Sequence, residues 1–176
     1  SKRYTRGKAS SRTIRLPSIV HTTAGIMVIR KNCSTTRTLA SVASNQLKWL
    51  EDVLAKADKK KHIFVFLHHP LYTEHRKGRH WGDCLDKFPE DRDRLQALFV
   101  KAGVDVVFAG HEHFYQRKTV GGIEHVITGG AGAPLYVADE DGGFHHFVQV
   151  TVDGDLVSAE VIDRDGLQKK APLLAP

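Results

Sequence analysis

The chain has 176 residues, 41% hydrophobic and 26% charged, and its 26 Lys and Arg against 20 Asp and Glu leave a net charge of +6. That is room for one core in an ordinary globular composition, with no apolar stretch long enough to span a membrane as a helix. Two cysteines, Cys33 and Cys84, are too few for a disulfide scaffold, lack Cys-x-x-Cys metal spacing and assign no compartment. The positive charge favours anionic partners.

Much of the excess charge lies at the start, where Lys2, Arg3, Arg6, Lys8, Arg12 and Arg15 mix with Ser, Thr and Gly. Residues 1–15 are expected to be a basic, disordered tail, and residues 16–176 the folded part, itself half of a larger domain on the resemblance given below. No aromatic interleaving or nucleic-acid module accompanies the tail, so nucleic acid is not an expected partner. Residues 25–29 predict a short strand. Residues 44–56 predict a helix with Ser44 as N-cap and Leu47, Leu50, Val53 and Leu54 along one face.

The apolar run Ile63-Phe64-Val65-Phe66-Leu67 predicts a strand that ends at His68-His69-Pro70. Residues 89–101 predict a second helix, with Leu95, Leu98, Phe99 and Ala102 on one side and Gly103 as its stop. The strand predicted from Val104 ends at Gly110-His111-Glu112-His113. Strand–helix–strand order implies that these two strands are parallel neighbours. Segments 114–120, 123–128, 145–152 and 156–163 predict further strands, joined by Gly121-Gly122, a longer Gly-rich loop and Asp153-Gly154. Consecutive hairpins imply an antiparallel sheet.

In an open α/β sheet ligands sit at the carboxyl ends of the strands, so two histidine turns at two strand ends suggest one shared metal site. Imidazole suits zinc, iron and similar ions, and in extended backbone His111 and His113 would face one side with Glu112 facing the other. Gly110 is expected to allow a tight turn and a close ligand approach. One His-x-His alone reads more readily as a surface turn; two such turns after two buried-type strands favour the metal site. His62, His125, His145 and His146 lie in or beside strands and are expected to be structural, with only one of His145 and His146 buried. Gly129-Gly130-Ala131-Gly132-Ala133-Pro134 is no phosphate loop, because no Gly-Lys-Ser/Thr follows.

The strings Phe66-Leu67-His68-His69-Pro70-Leu71-Tyr72, Gly103-Val104-Asp105 and Gly110-His111-Glu112-His113-Phe114-Tyr115-Gln116-Arg117, with Gln46-Leu47-Lys48-Trp49-Leu50-Glu51 before them, resemble the C-terminal half of a calcineurin-like metallophosphoesterase, particularly the purple acid phosphatases. The fold implied is α/β, the C-terminal half of an α/β/β/α sandwich. The site implied holds two transition-metal ions (Fe, Zn or Mn) whose bridging water or hydroxide attacks phosphorus. His68 and His111 resemble ligands of one ion and His113 a ligand of the other, while His69 matches a position that is not a ligand. The Gly-rich loop resembles the turn packed beneath that site.

The departure from this pattern matters as much. The family's Asp-x-His, Gly-Asp-x-x-Asp/Tyr and Gly-Asn-His motifs do not precede Gln46. Gly82-Asp83-Cys84-Leu85-Asp86 has similar letters but follows a charged stretch and falls out of order, so it is read as coincidence. Two divalent ions about 3.5–4 Å apart need anionic ligands between them, so three neutral imidazoles are expected to hold at most one ion. A His₃ site with an open position does occur in catalytic zinc proteins.

The loop 73–81 directly follows the first motif. In it His75 and His80 are candidate catalytic acids for the leaving alkoxide, and Arg76 and Arg79 candidate ligands of the substrate phosphate. The expected function is metal-dependent hydrolysis of phosphate esters, by a chain carrying half of the family's site. The alternative is a non-catalytic metal-binding module or an inactive truncated product. Without neighbouring strands the first sheet would expose an edge, so a homodimer or an N-terminal half supplied elsewhere is the expected partner.

Overall fold

The computed structural model describes residues 12–15, 26–29, 44–57, 62–74, 84–166 and 168–172. In chain order the elements are β1 (Arg12–Arg15), β2 (Ile26–Ile29), α1 (Ser44–Ala55), β3 (Phe64–Leu67), α2 (Pro89–Ala102), β4 (Val106–Ala109), β5 (Tyr115–Val120), β6 (Ile123–Thr128), β7 (His146–Asp153), β8 (Leu156–Asp163) and β9 (Gln168–Pro172). They form a five-stranded sheet in the order β2-β3-β4-β6-β5 and a four-stranded sheet in the order β1-β7-β8-β9. Strands β2, β3, β4 and β6 are parallel to one another, and β5 is antiparallel to β6.

The period-two alternation of strand side chains makes two cores from one sheet. On one face Val65 and Val107 meet Leu47, Leu50 and Leu54 of α1 and Leu95, Phe99 and Ala102 of α2. On the other, Phe64, Val106, Phe108 and Val126 meet Val148, Val150, Val157, Ala159 and Val161 of the second sheet. Both described helices thus lie on one side of a β-sandwich. Helix α2 stops at Gly103, whose left-handed φ of 74° lets its N–H reach the Phe99 and Val100 carbonyls. Val53, expected on the inner face of α1, is exposed. At 100° per residue it lies roughly 90° round the helix from the mean of the three buried leucines.

Two further expectations are corrected by the pairing. The hairpin β5–β6 turns at Gly121 and Gly122, both with positive φ, but it does not join the antiparallel sheet. Strand β6 is buried along almost its whole length, and such a two-sided strand belongs in the middle of a sheet. It therefore inserts beside β4 in parallel, leaving the half-exposed β5 at the edge.

The expectation of a disordered tail over 1–15 does not hold for Arg12–Arg15. Arg12–Arg15 pairs antiparallel with Gln149–Val152, because the backbone groups along that edge of β7 need partners and Thr13 and Ile14 suit extended backbone. Composition averaged over fifteen residues hides a four-residue strand. The rest of the expected tail, 1–11, lies outside the described residues.

Candidate metal centre

Strands β3 and β4 are in register with Leu67 opposite Ala109, so both chains leave the sheet at the same level. The Gly110 N–H donates to the His68 carbonyl at 3.2 Å and ties the two turns together. Three imidazoles gather there. His68 Nε2 and His111 Nδ1 are 3.1 Å apart, and the ring centroids of His69 lie 4.3 Å from His111 and 4.7 Å from His68. One ligand nitrogen from each of His68, His69 and His111 lies within 4.8 Å of the other two.

These residues fit a transition-metal ion. Zn–N bonds of about 2.0–2.1 Å put tetrahedral ligand atoms roughly 3.3 Å apart, close to the His68–His111 spacing. The donor set is all imidazole: among the described residues no carboxylate belongs to the group.

His111 reaches this place through an uncommon backbone. Its φ is +65°, and the Glu112 N–H donates to the Gly110 carbonyl at 2.7 Å. This is a γ-turn of the positive-φ type, and such strain costs about 1–3 kcal/mol unless the surroundings hold it. The fixing group is Glu112, which is 2% exposed. Its carboxylate accepts a hydrogen bond from Cys84 Sγ at 2.9 Å and another from the Tyr136 hydroxyl. Burial, aided by that carboxylate, pushes the Tyr136 pKa up and keeps the phenol a donor. The Tyr136 oxygen in turn accepts from the His113 N–H at 2.9 Å. From below, Gly129 packs so tightly that a Cβ there would lie 2.0 Å from the Glu112 carbonyl oxygen.

The turn sits one residue later than the sequence suggests. Gly110 has no positive φ and a Cβ on it would meet nothing within 4 Å, so it leaves open space beside the cluster while His111 makes the tight turn. His113 is not one of the three clustered imidazoles: its Nδ1 donates to the Pro134 carbonyl at 2.8 Å, and its ring lies 5.4 Å from that of Tyr136. A carbonyl only accepts, so Nδ1 is the nitrogen that carries the proton of this contact, and in a neutral ring Nε2 is the one with the lone pair.

The structure therefore brings His68 and His111 together, adds His69, and holds His113 apart from that group. His75, Arg76, Arg79 and His80, together with Asp83, lie outside the described residues. The adjacency of His68 and His69 was visible in the sequence, but which way the second ring swings depends on the bend after β3. The network of Cys84, Glu112 and Tyr136 joins residues far apart in the chain and had no sequence signal. Among the described residues, the remaining histidines hold structure. His125 is buried against Gln96 of α2, and His146 is buried with its ring nitrogens on Thr128 and the Phe144 carbonyl. His62 faces the Gly154 carbonyl, and the half-buried His145 the Gly130 carbonyl.

Helices covering one side of a β-sandwich, with histidine turns at the carboxyl ends of adjacent parallel strands, define a metallophosphoesterase-type architecture. The calcineurin-like phosphoesterase family matches residues 11–115, well over half of the chain, and the chain belongs to that family. Purple acid phosphatase 21 of Arabidopsis thaliana is 36% identical over 103 residues, 57% of this chain and 21% of that protein. The phosphoenolpyruvate phosphatase of Allium cepa is 32% identical over 108 residues, 56% of this chain and 21% of its own length. The purple acid phosphatase PPD1 of Lupinus luteus superimposes with a TM-score of 0.61 at 23% identity, over 74% of this chain and 28% of that one, a likeness of fold. The chain thus spans about a fifth of the length of the curated relatives it matches.

Proposed function

We propose that this chain carries a transition-metal centre of a phosphoesterase and takes part in hydrolysis of phosphate esters. The observation that carries the reading is the convergence of His68 and His111 at the ends of β3 and β4, a donor set suited to Fe, Zn or Mn. A bound ion would supply water of lowered pKa and a positive clamp on the phosphate. His68 and His111 hold it. His113, with its proton fixed on Nδ1, offers Nε2 to a second position. The charged loop after the first motif binds the substrate, with Arg76 and Arg79 on phosphate oxygens and His75 or His80 delivering the proton to the leaving alkoxide.

The first acidic residue in the chain is Glu51, on α1, so no carboxylate before it can bridge the ions of a two-ion centre. This chain by itself holds one ion at most, and the anionic ligands come from a second copy or a further segment laid against β2, an edge strand of the five-stranded sheet.

The test is hydrolysis of an aryl phosphate with added manganese, zinc or iron. Weak, metal-dependent turnover lost in His111→Ala, and raised when a segment with the Asp-x-His, Gly-Asp-x-x-Asp/Tyr and Gly-Asn-His motifs is joined, supports the reading. Metal binding without turnover in either form favours a non-catalytic metal-binding module. Turnover unchanged by His111→Ala refutes the proposal.

A further inference from the structure

We propose that Tyr136 is a positioning residue of the metal centre: its phenol oxygen joins the backbone of His113 to the carboxylate of Glu112, and so fixes the two histidines of the second turn relative to each other. The inference rests on the reading above that this turn helps to hold an ion, and adds the residue that keeps its ligands in place.

A phenol has one proton to give and lone pairs with which to accept, and Tyr136 uses both. It accepts the His113 N–H at 2.9 Å and donates to the Glu112 carboxylate. Its ring lies 5.4 Å from that of His113 and edge-on, at 6.4 Å, to the fully buried Phe114. The same loop grips His113 a second time, because the Pro134 carbonyl accepts its Nδ1–H at 2.8 Å. Backbone and ring of His113 are therefore set by two residues of one loop, far from it in the chain.

The loop that carries Tyr136 is itself tightly packed. A Cβ at Gly143 would lie 1.9 Å from the Val137 carbonyl oxygen, and one at Gly142 would lie 2.1 Å from that of Tyr115. The Gly143 N–H donates to the Ala138 carbonyl at 2.9 Å, and the Tyr115 N–H to the Gly142 carbonyl at 2.8 Å. Glu112 is equally constrained, with Cys84 on its other carboxylate oxygen and Gly129 beneath its carbonyl. Tyr136 is thus a strut between two fixed points. His111 precedes Glu112 and His113 follows it, so the strut reaches both histidines: His113 directly, and His111 through the positive-φ turn that the Glu112 N–H closes. A ligand oriented before the ion arrives binds more tightly, and losing such an outer partner costs about 10–100-fold in affinity.

Tyr136→Phe tests this, since it keeps the ring contacts and deletes both hydrogen bonds. Cobalt(II) titration of the purified chain should show its affinity reduced about 10–100-fold, with no reliance on turnover. In the metal-free chain, nitrogen-15 NMR should find the neutral His113 ring protonated on Nδ1 in the wild type. In Tyr136→Phe that ring should shift toward the Nε2-protonated form that a free imidazole prefers. Val157→Ala, which opens a cavity in the core between the two sheets, is the control: it should lower stability yet keep wild-type affinity. Because Tyr136 and Glu112 share a hydrogen bond, Tyr136→Phe combined with Glu112→Ala should weaken binding by less than the product of the two single losses. Circular dichroism of the metal-free variants checks that each is folded. Wild-type affinity in Tyr136→Phe overturns the proposal, and so does an equal loss in Val157→Ala or a pair of losses that multiply in full. Failure of the wild type to bind cobalt at all refutes the metal centre itself. The His113 ring then still decides the positioning role: a shifted tautomer in Tyr136→Phe upholds it and an unchanged one overturns it.

Discussion

His125 makes the stability of the fold depend on pH in a way that can be worked from its surroundings. It lies on β6, 4% exposed, with Nε2 3.0 Å from Gln96 Oε1 of α2 and the Tyr72 ring edge-on at 4.9 Å. Burial lowers its pKa from 6.5 to about 4, and the neighbouring Glu124 opposes this only in part. That carboxylate is already engaged by Arg117 and Thr119. The unfolded chain therefore takes up a proton between pH 6.5 and 4 that the folded chain refuses. The contribution is present in full above pH 6.5 and is lost as the pH falls toward the folded value. At 1.36 kcal/mol per unit the whole loss is about 3 kcal/mol, of which about 2 kcal/mol is gone by pH 5. Urea unfolding of the wild type and His125→Gln at pH 8 and pH 5 measures it. The variant should be less stable at pH 8 yet lose about 2 kcal/mol less on acidification. Other groups, such as the buried His146 whose pKa is also lowered, remain in both proteins and cancel in the difference. Equal acid sensitivity in the two proteins, or a His125 ring proton resonance titrating near pH 6.5, would refute the reasoning.

Two further predictions concern what holds the histidine turn. Gly129→Ala places a Cβ 2.0 Å from the Glu112 carbonyl oxygen and should cost about 1–3 kcal/mol or more of stability, whereas Gly110→Ala, whose Cβ meets nothing within 4 Å, should be near neutral in the same thermal melt. Glu112→Ala removes the acceptor shared by Cys84 and Tyr136 and should cost about 2–4 kcal/mol by urea midpoint, while a loss under about 0.5 kcal/mol would show that the carboxylate does not fix the turn.

The sequence by itself determined the elements that flank the site. Apolar runs of strand length, a leucine stripe at helical spacing and Gly103 at a helix end are local signals, and each acts within one turn or one strand of its own position. Seven of the nine described strands and both described helices were legible in this way, as was the placing of histidine turns at the carboxyl ends of two neighbouring parallel strands. What local chemistry cannot carry is pairing. Strands β1 and β9 have ordinary polar or charged compositions and exist because β7 and β8 offer open edges, and β6 left its hairpin's expected sheet because it is buried on both faces. The site divides along the same line. His68 and His111 meet because registry brings Leu67 opposite Ala109, which the strand ends already implied. His69 lies with them after the bend that follows β3, His111 takes a positive φ at its turn, and His113 falls outside the group of three. That turn is held by Cys84, Glu112, Gly129 and Tyr136, residues that come together only when the chain has folded and whose geometry no spacing along the sequence encodes.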